Sequence, residues 1–352
     1  MKAILFLTVF LNSILLFAQS KKEVFDFKKY QRKELVLSKP ATTDRVSIPF
    51  NNVIVFDERP DTSAVSMNKS EYYNIKNMDS VILDYINNAV SLSKTANNAN
   101  KLVIFIKKLW LTNQFDLTNR DEKKRSEING DWVGGILFKA ECYLQMDTLF
   151  VPAFRFDTSF SAEKNNVIPE ATELLDICLR RIVEKTSQFQ IPEAGAQVKK
   201  ITGAAIEKFN HARFDIPVLK DIRFKKGVYE TFEDFKQNNP KYPEFEVKKE
   251  KLSDELYVKQ EDGTEVLQRS IWGYCDGENL FIKSADNYFP LYRYGNTFYF
   301  KGAKGINRSI KIKGANAAMN GVFGIVGGQN KKAKFDISYR PYQVDIDNGE
   351  IF

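Results

Sequence analysis

The chain has 352 residues, 43% of them hydrophobic and 28% charged, with a formal net charge of +7. Its 28 Phe, 15 Tyr and 3 Trp exclude a chain disordered by composition, and the length suits about two domains with separate cores. One His and three Cys exclude a histidine-rich zinc site and a complete disulfide framework.

The chain opens on MKAILFLTVFLNSILLFAQS. Lys2 forms a short basic region, Ala3 to Phe17 is almost wholly apolar, and Ala18 offers a small residue for cleavage. This is the pattern of a secretory signal peptide over residues 1–18, leaving Gln19 first. The apolar run falls short of the ~20 residues that span a bilayer. Cys is missing beside the cut, so the expectation is an exported protein, periplasmic or outer-membrane associated and not lipidated. Export and the even spread of lysines argue against a nucleic-acid partner.

Residues 19–194 read as an α+β domain. NNVIVFD (Asn51 to Asp57) is a short apolar strand ended by ERPD, which reads as a solvated turn rather than a metal or acid–base site. Met78, Ile82, Tyr85, Ile86, Ala89 and Leu92 recur at helical spacing and predict a helix from Met78 to Ser93. KLVIFIKKLWL (Lys101 to Leu111) reads as a strand buried on both faces. After the charged stretch 119–130, a hairpin is expected with its turn near Asp147 and Thr148. Its second strand alternates Phe150, Pro152, Phe154, Phe156 and Phe160 with Val151, Arg155, Asp157 and Ser159, and Pro152 marks an edge or a bulge. Cys142, on the preceding strand, and Cys178, on the helix that follows, both point toward a core, where they could pair if they meet. The order β-α-β-β-β-α gives a two-layer sandwich with helices on one face of a sheet.

The first strand ends in Asp-x-Arg, here Asp57 and Arg59, and with the element order that follows it resembles the YajG-like envelope lipoproteins of Gram-negative bacteria. The resemblance implies the fold of this half alone. Residues 195–217 read as a helical joint, one helix broken by Gly203, and residues 218–352 as a mainly antiparallel β domain built of hairpins. Thr231 and Asp234 predict a capped helix that Asn238, Asn239 and Pro240 stop. Asp262-Gly263, Asp276-Gly277, Gly295-Asn296 and Asn348-Gly349 predict tight turns with both central residues at positive φ. Cys275 therefore precedes a turn, matched by Tyr294 or Arg293 in the next hairpin, and is not a nucleophile. Trp272, Tyr274, Phe281, Tyr292, Phe298 and Phe300 read as one packed aromatic face. GVYETFEDFKQNNP and WGYCDG together are similar to a recurring module of uncharacterised secreted bacterial proteins, which implies a domain boundary.

His211, near the end of the joint helix, reads as a C-terminal cation and not a base. DIDNGE (Asp345 to Glu350) misses the spacing of a calcium loop, and the glycines of NGVFGIVGGQ lack the strand-to-helix setting of a nucleotide loop. The residues thus name no catalytic group, metal or cofactor. One stretch suggests a contact with a membrane surface or a partner: Lys311, Lys313, Lys331 and Lys332 flank the apolar Val322, Phe323 and Ile325. The competing reading of that stretch is a buried glycine-rich connection. The expected function is a non-catalytic binding or assembly component of the cell envelope, its partner an envelope protein or glycan. The alternative is a hydrolase or carbohydrate-active enzyme using carboxylates.

Overall fold

A computed structural model describes residues 25–37, 45–68, 70–93, 100–116, 131–162, 167–193, 197–249, 253–284, 287–302 and 340–352. The fold is α+β, with helices few and most strand pairs antiparallel. The chain divides into two units. One holds residues 27–215 with Phe352, and the other holds residues 1–26 with 216–351.

The N-terminal unit is built on a five-stranded sheet. Strands β1 (Asn52–Asp57), β2 (Asn100–Asp116), β3 (Asp131–Met146), β4 (Leu149–Ala162) and β5 (Ile201–Thr202) lie side by side in chain order, and only β1 and β2 run parallel. Leu102, Ile104 and Ile106 of β2 face helices α1 (Met78–Ala89) and α2 (Val167–Ser187), and with them form the main core. Val103 and Phe105, one step out of phase, face the other side, where Ile206 of α3 (Gly203–Ala212) covers them. Two small sheets complete the unit. Strand Glu71–Asn74 lies between Gln31–Glu34 and Ser66–Met67, and Val46–Ile48 pairs in parallel with Val90–Leu92.

Three local expectations need correction here. Helix α1 stops at Ala89, and Val90–Leu92 is a strand, so Leu92 is not on the buried helical face and is 39% exposed. The phenylalanines of β4 do not share one face. The β3–β4 register shifts between Cys142 and Tyr143, leaving Ala153 as the extra residue beside Pro152. Phe150 consequently joins the Val103–Phe105 side, while Phe154 and Phe156 join the helix side. Gly203 does not break a helix. It is the first residue of α3, and Thr202 caps it by accepting from the Ala205 N–H at 3.2 Å.

The C-terminal unit contains a six-stranded antiparallel sheet. Its spatial order is β6 (Gly227–Tyr229), β10 (Gly273–Cys275), β11 (Leu280–Ser284), β12 (Asn287–Tyr294), β13 (Thr297–Gly302) and β14 (Arg340–Val344). A three-stranded sheet of β7 (Phe245–Lys249), β8 (Asp254–Lys259) and β9 (Glu265–Gln268) packs on one side through Leu256, Val258, Tyr274 and Tyr288. Helix α4 (Pro217–Lys220) and helix α5 (Phe232–Lys236) belong to the same unit, and α5 carries the expected Thr231–Asp234 capping box. Phe25 also packs within this unit, its ring 4.9 Å from that of Tyr299.

The hairpin registers split the supposed aromatic face in two. Tyr274, Phe281 and Tyr292 lie on one face of the sheet, and Phe298 and Phe300 on the other. A strand's period of two decides this, because Arg293 pairs with Phe298 and Tyr292 with Tyr299. The turn chemistry also differs from the expectation. Gly263, Gly277, Gly295 and Gly349 take positive φ, but Asp262, Asp276, Asn296 and Asn348 do not. Asp262, Asp276 and Asn348 instead accept backbone N–H groups two residues on, so their side chains make the turn. Gly295-Asn296 joins its strands directly with glycine in the first central place, the pattern of a type II′ turn.

Candidate ligand cleft of the N-terminal unit

The end of β1 sets one wall of a cleft. Arg59 was expected in a solvated turn, yet the residue is 6% exposed. Its guanidinium grips the Asp57 carboxylate with two parallel bonds of 2.8 Å, and Nη1 donates to the Ala64 carbonyl at 3.0 Å. A buried guanidinium needs its charge and its donors met together, and the fork of the side chain does both. The turn after β1 is therefore a closed knot. The two residues that carry the Asp-x-Arg resemblance bond to each other.

The opposite wall comes from strands Gln31–Glu34 and Glu71–Asn74 and the start of α1. The cleft has a volume of about 460 Å³, within the ~300–1,000 Å³ span of small-molecule sites. Two cations line it, Arg32 and Lys76, and two carboxylates besides Asp57, those of Glu58 and Asp79. Phe56 also borders the cleft, but its ring turns to the α3 side of the sheet, where it stacks on its strand partner Phe105 at 5.2 Å.

Asn74 lies in the lining with 6% of its surface exposed. Its Oδ1 accepts from Arg32 Nε at 3.2 Å, and its Nδ2 has no partner among the described residues. Asn77, at φ 49°, precedes α1 without a side-chain cap bond, so the first-turn N–H groups face the cleft uncapped. Asp79 satisfies one of them, accepting from the Ser80 N–H at 2.9 Å.

A second polar cluster lies on the α3 side of the sheet. Lys107 is the extra residue where the β2–β3 register shifts, and it is 5% exposed. Its ammonium donates to Asn210 Oδ1 on α3 and lies 3.8 Å from Glu141. Glu141 also receives Arg155 at 2.9 Å and the Tyr143 hydroxyl at 3.2 Å. Burial and the Glu141 charge push the Tyr143 phenol up to about 12. Every polar group named in this cluster has a partner, which suits fastening α3 rather than taking a ligand.

The residues singled out for chemistry stand apart from the cleft. Cys142, Cys178 and Cys275 are buried thiols that form no disulfide among the described residues. Burial pushes the Cys178 thiol up to about 12 and raises that of Cys142 as well. Cys275 closes β10 against Leu280 and its sulfur accepts from the Gly277 N–H, so its counterpart in the next hairpin is Tyr294. His211 is 74% exposed on α3, with Glu207 3.9 Å away. Among the described residues no three His, Cys, Asp or Glu side chains group as a metal site, and no helix is long and apolar enough to cross a membrane. Lys311, Lys313, Val322, Phe323, Ile325, Lys331 and Lys332 lie outside the described residues.

The cleft itself was not found from sequence. It joins residues 32, 56–62 and 74–79, which no local pattern connects.

Residues 227–352 match the model of a family of unknown function, DUF6563, and the match begins at the GVYETF segment. Among solved structures, a Xanthomonas campestris protein of the DUF330 family is similar at TM-score 0.27 and 8% identity, over 44% of this chain and 90% of that one. The minor lipoprotein of Acinetobacter baumannii is similar at TM-score 0.22 and 12% identity, over 41% of this chain and 98% of that one. At these scores neither likeness bears on function. A comparison with curated proteins gives no match.

Proposed function

We propose that this chain is an exported component of the cell envelope that works by binding, and that the cleft beside α1 is where it binds. Export rests on the hydrophobic start and Ala18. Binding rests on the cleft, and one observation carries it: both oxygens of Asp57 are committed to Arg59. A carboxylate whose two oxygens are both occupied by a guanidinium is not free to reach a substrate proton, while the remaining groups of the lining stay available to hold a ligand. The partner is an envelope protein or glycan, not a nucleic acid.

A photo-crosslinking residue in place of the exposed Lys76, in protein expressed in its native host, tests the reading. A discrete adduct from the envelope fraction, on protein whose N-terminus is Gln19, is expected. Intact Met1 on protein in the cytosol would overturn the export half. Turnover of a glycan or ester substrate that Glu58→Gln abolishes would replace binding by hydrolysis.

A further inference from the structure

The loop between α4 and β6 holds an isoleucine out in solvent. Ile222 is 74% exposed, and Arg223, Lys225 and Lys226 beside it are exposed as well. These four side chains stem from five consecutive residues, a stretch of at most ~18 Å. Other cations of the C-terminal unit lie beside acids, Lys236 at 3.4 Å from Glu233 and Lys248 at 2.9 Å from Glu265. Arg223, Lys225 and Lys226 make no ion pair among the described residues. The acid of the loop is Asp221, and its carboxylate takes the Asn238 Nδ2 donor at 2.6 Å.

The backbone that carries these side chains is fixed. The buried Asn238 donates to the Arg223 carbonyl at 3.2 Å and accepts from the Lys225 N–H at 3.0 Å. Phe224 turns inward, its ring 6.4 Å from that of Phe298. The loop thus gives one apolar side chain to the core and keeps another outside. A lone surface isoleucine needs no explanation, but one held on a tied loop among three cations without acid partners does. Anionic lipid headgroups would draw the cations, and the acyl boundary beneath them would take the apolar side chain. A soluble polyanion would answer the cations and leave Ile222 in water. We propose that residues 222–226 dock the chain on an anionic phospholipid surface, with Arg223, Lys225 and Lys226 among the headgroups and Ile222 inserted between them. Each Lys or Arg beside such a surface strengthens binding about fivefold, so the three together give about a hundredfold.

The test is co-sedimentation of the chain from Gln19 onward with two kinds of vesicle, at low and high salt. One is phosphatidylcholine alone, and the other is phosphatidylcholine mixed with phosphatidylglycerol. Binding to the anionic vesicles at low salt is expected, weaker at high salt and weak on the neutral ones. Arg223→Gln, Lys225→Gln and Lys226→Gln combined should weaken it about a hundredfold. Ile222→Ser alone should weaken it about tenfold. All four positions are exposed, so thermal melts of both variants should match the parent. No binding to the anionic vesicles at low salt would overturn the proposal. Binding that survives the triple substitution would overturn it too, by placing the contact elsewhere in the chain. Binding that the triple variant loses but Ile222→Ser keeps would replace the membrane with a soluble polyanion.

Discussion

Each unit ties a chain reversal with one buried polar side chain, and the two use opposite chemistry. In the N-terminal unit Arg59 closes the turn after β1 with a charge, which Asp57 must answer. In the C-terminal unit a neutral amide does the work. Asn238 is fully buried just past α5, in the left-handed region at φ 46°. Its Oδ1 accepts from the Lys225 N–H and the Tyr229 hydroxyl, and its Nδ2 donates to Asp221 and to the Arg223 carbonyl. Asparagine tolerates the left-handed region better than most residues, so one side chain ends the helix and ties the preceding loop. A charged hub cannot lose its partner alone. A neutral hub spreads its loss over several groups.

That contrast is sharpest when each hub is cut. Arg59→Met should destabilise the protein by about 3 kcal/mol, because Asp57 loses the guanidinium that meets both of its oxygens. Asp57→Leu combined with Arg59→Met should recover much of that loss, since both charges leave together. Urea unfolding of the two variants and the parent measures this. A double variant less stable than Arg59→Met would break the account of a charge-driven knot. Asn238→Ala should cost about 3 kcal/mol, from several orphaned groups and a strained backbone. Asn238→Gly should relieve the backbone part only. Equal losses in the two variants would mean that the left-handed conformation costs nothing here.

How legible these hubs were follows from their chemistry. Thr231 and Asp234 announced α5, because a capping box is written in four consecutive residues. The order of β1, α1, β2, β3, β4 and α2 was readable because apolar periodicity is local. Arg59 was misread, because a run of Asp, Glu, Arg and Pro resembles solvated turn residues until the fold wraps around it. Asn238 was read only as a helix stop, since its four partners lie 9 to 17 residues away. Pro152 signalled a bulge, yet the pattern of phenylalanines around it was still carried through as one face. A single extra residue reverses every side chain beyond it. The cleft was least legible, because it depends on three segments meeting.

The C-terminal unit also contains the opposite of Asn238, a buried polar group left without a partner. The Tyr288 hydroxyl is shielded among Tyr274, Leu256 and Val258 and makes no hydrogen bond among the described residues. Burial raises its phenol, with the charge of Asp254 adding to the effect. Tyr288→Phe removes an unsatisfied group and should stabilise the protein by about 1 kcal/mol. Tyr229→Phe, which strips a satisfied hydroxyl from the Asn238 hub, should destabilise by a similar amount. Thermal melts of the two variants, side by side, are the measurement. The same sign for both would remove the distinction between satisfied and unsatisfied tyrosines.

The smallest effect belongs to the surface and shows in acid. Glu230 accepts from the Lys241 ammonium and from the Tyr242 hydroxyl at 2.9 Å. The Lys241 bond, then the Tyr242 bond, holds the carboxyl below its ordinary 4.5. A lowered carboxyl stabilises the fold above its unfolded value, and that contribution disappears as pH falls through the lowered folded value. Stability should therefore drop in the window below pH 4.5, and Glu230→Gln should drop less steeply there. Lys241 gives the mirror case, since the Glu230 bond raises it above 10.5. Its contribution is complete below that value and is lost as pH climbs through the raised one. Both groups are largely solvated, so salt should shrink both slopes. Melting temperatures across the acid range, at low and high salt, give the answer. A slope that Glu230→Gln leaves unchanged would assign the acid loss to other carboxylates, Glu71 first, whose bond from Tyr73 lowers it in the same direction.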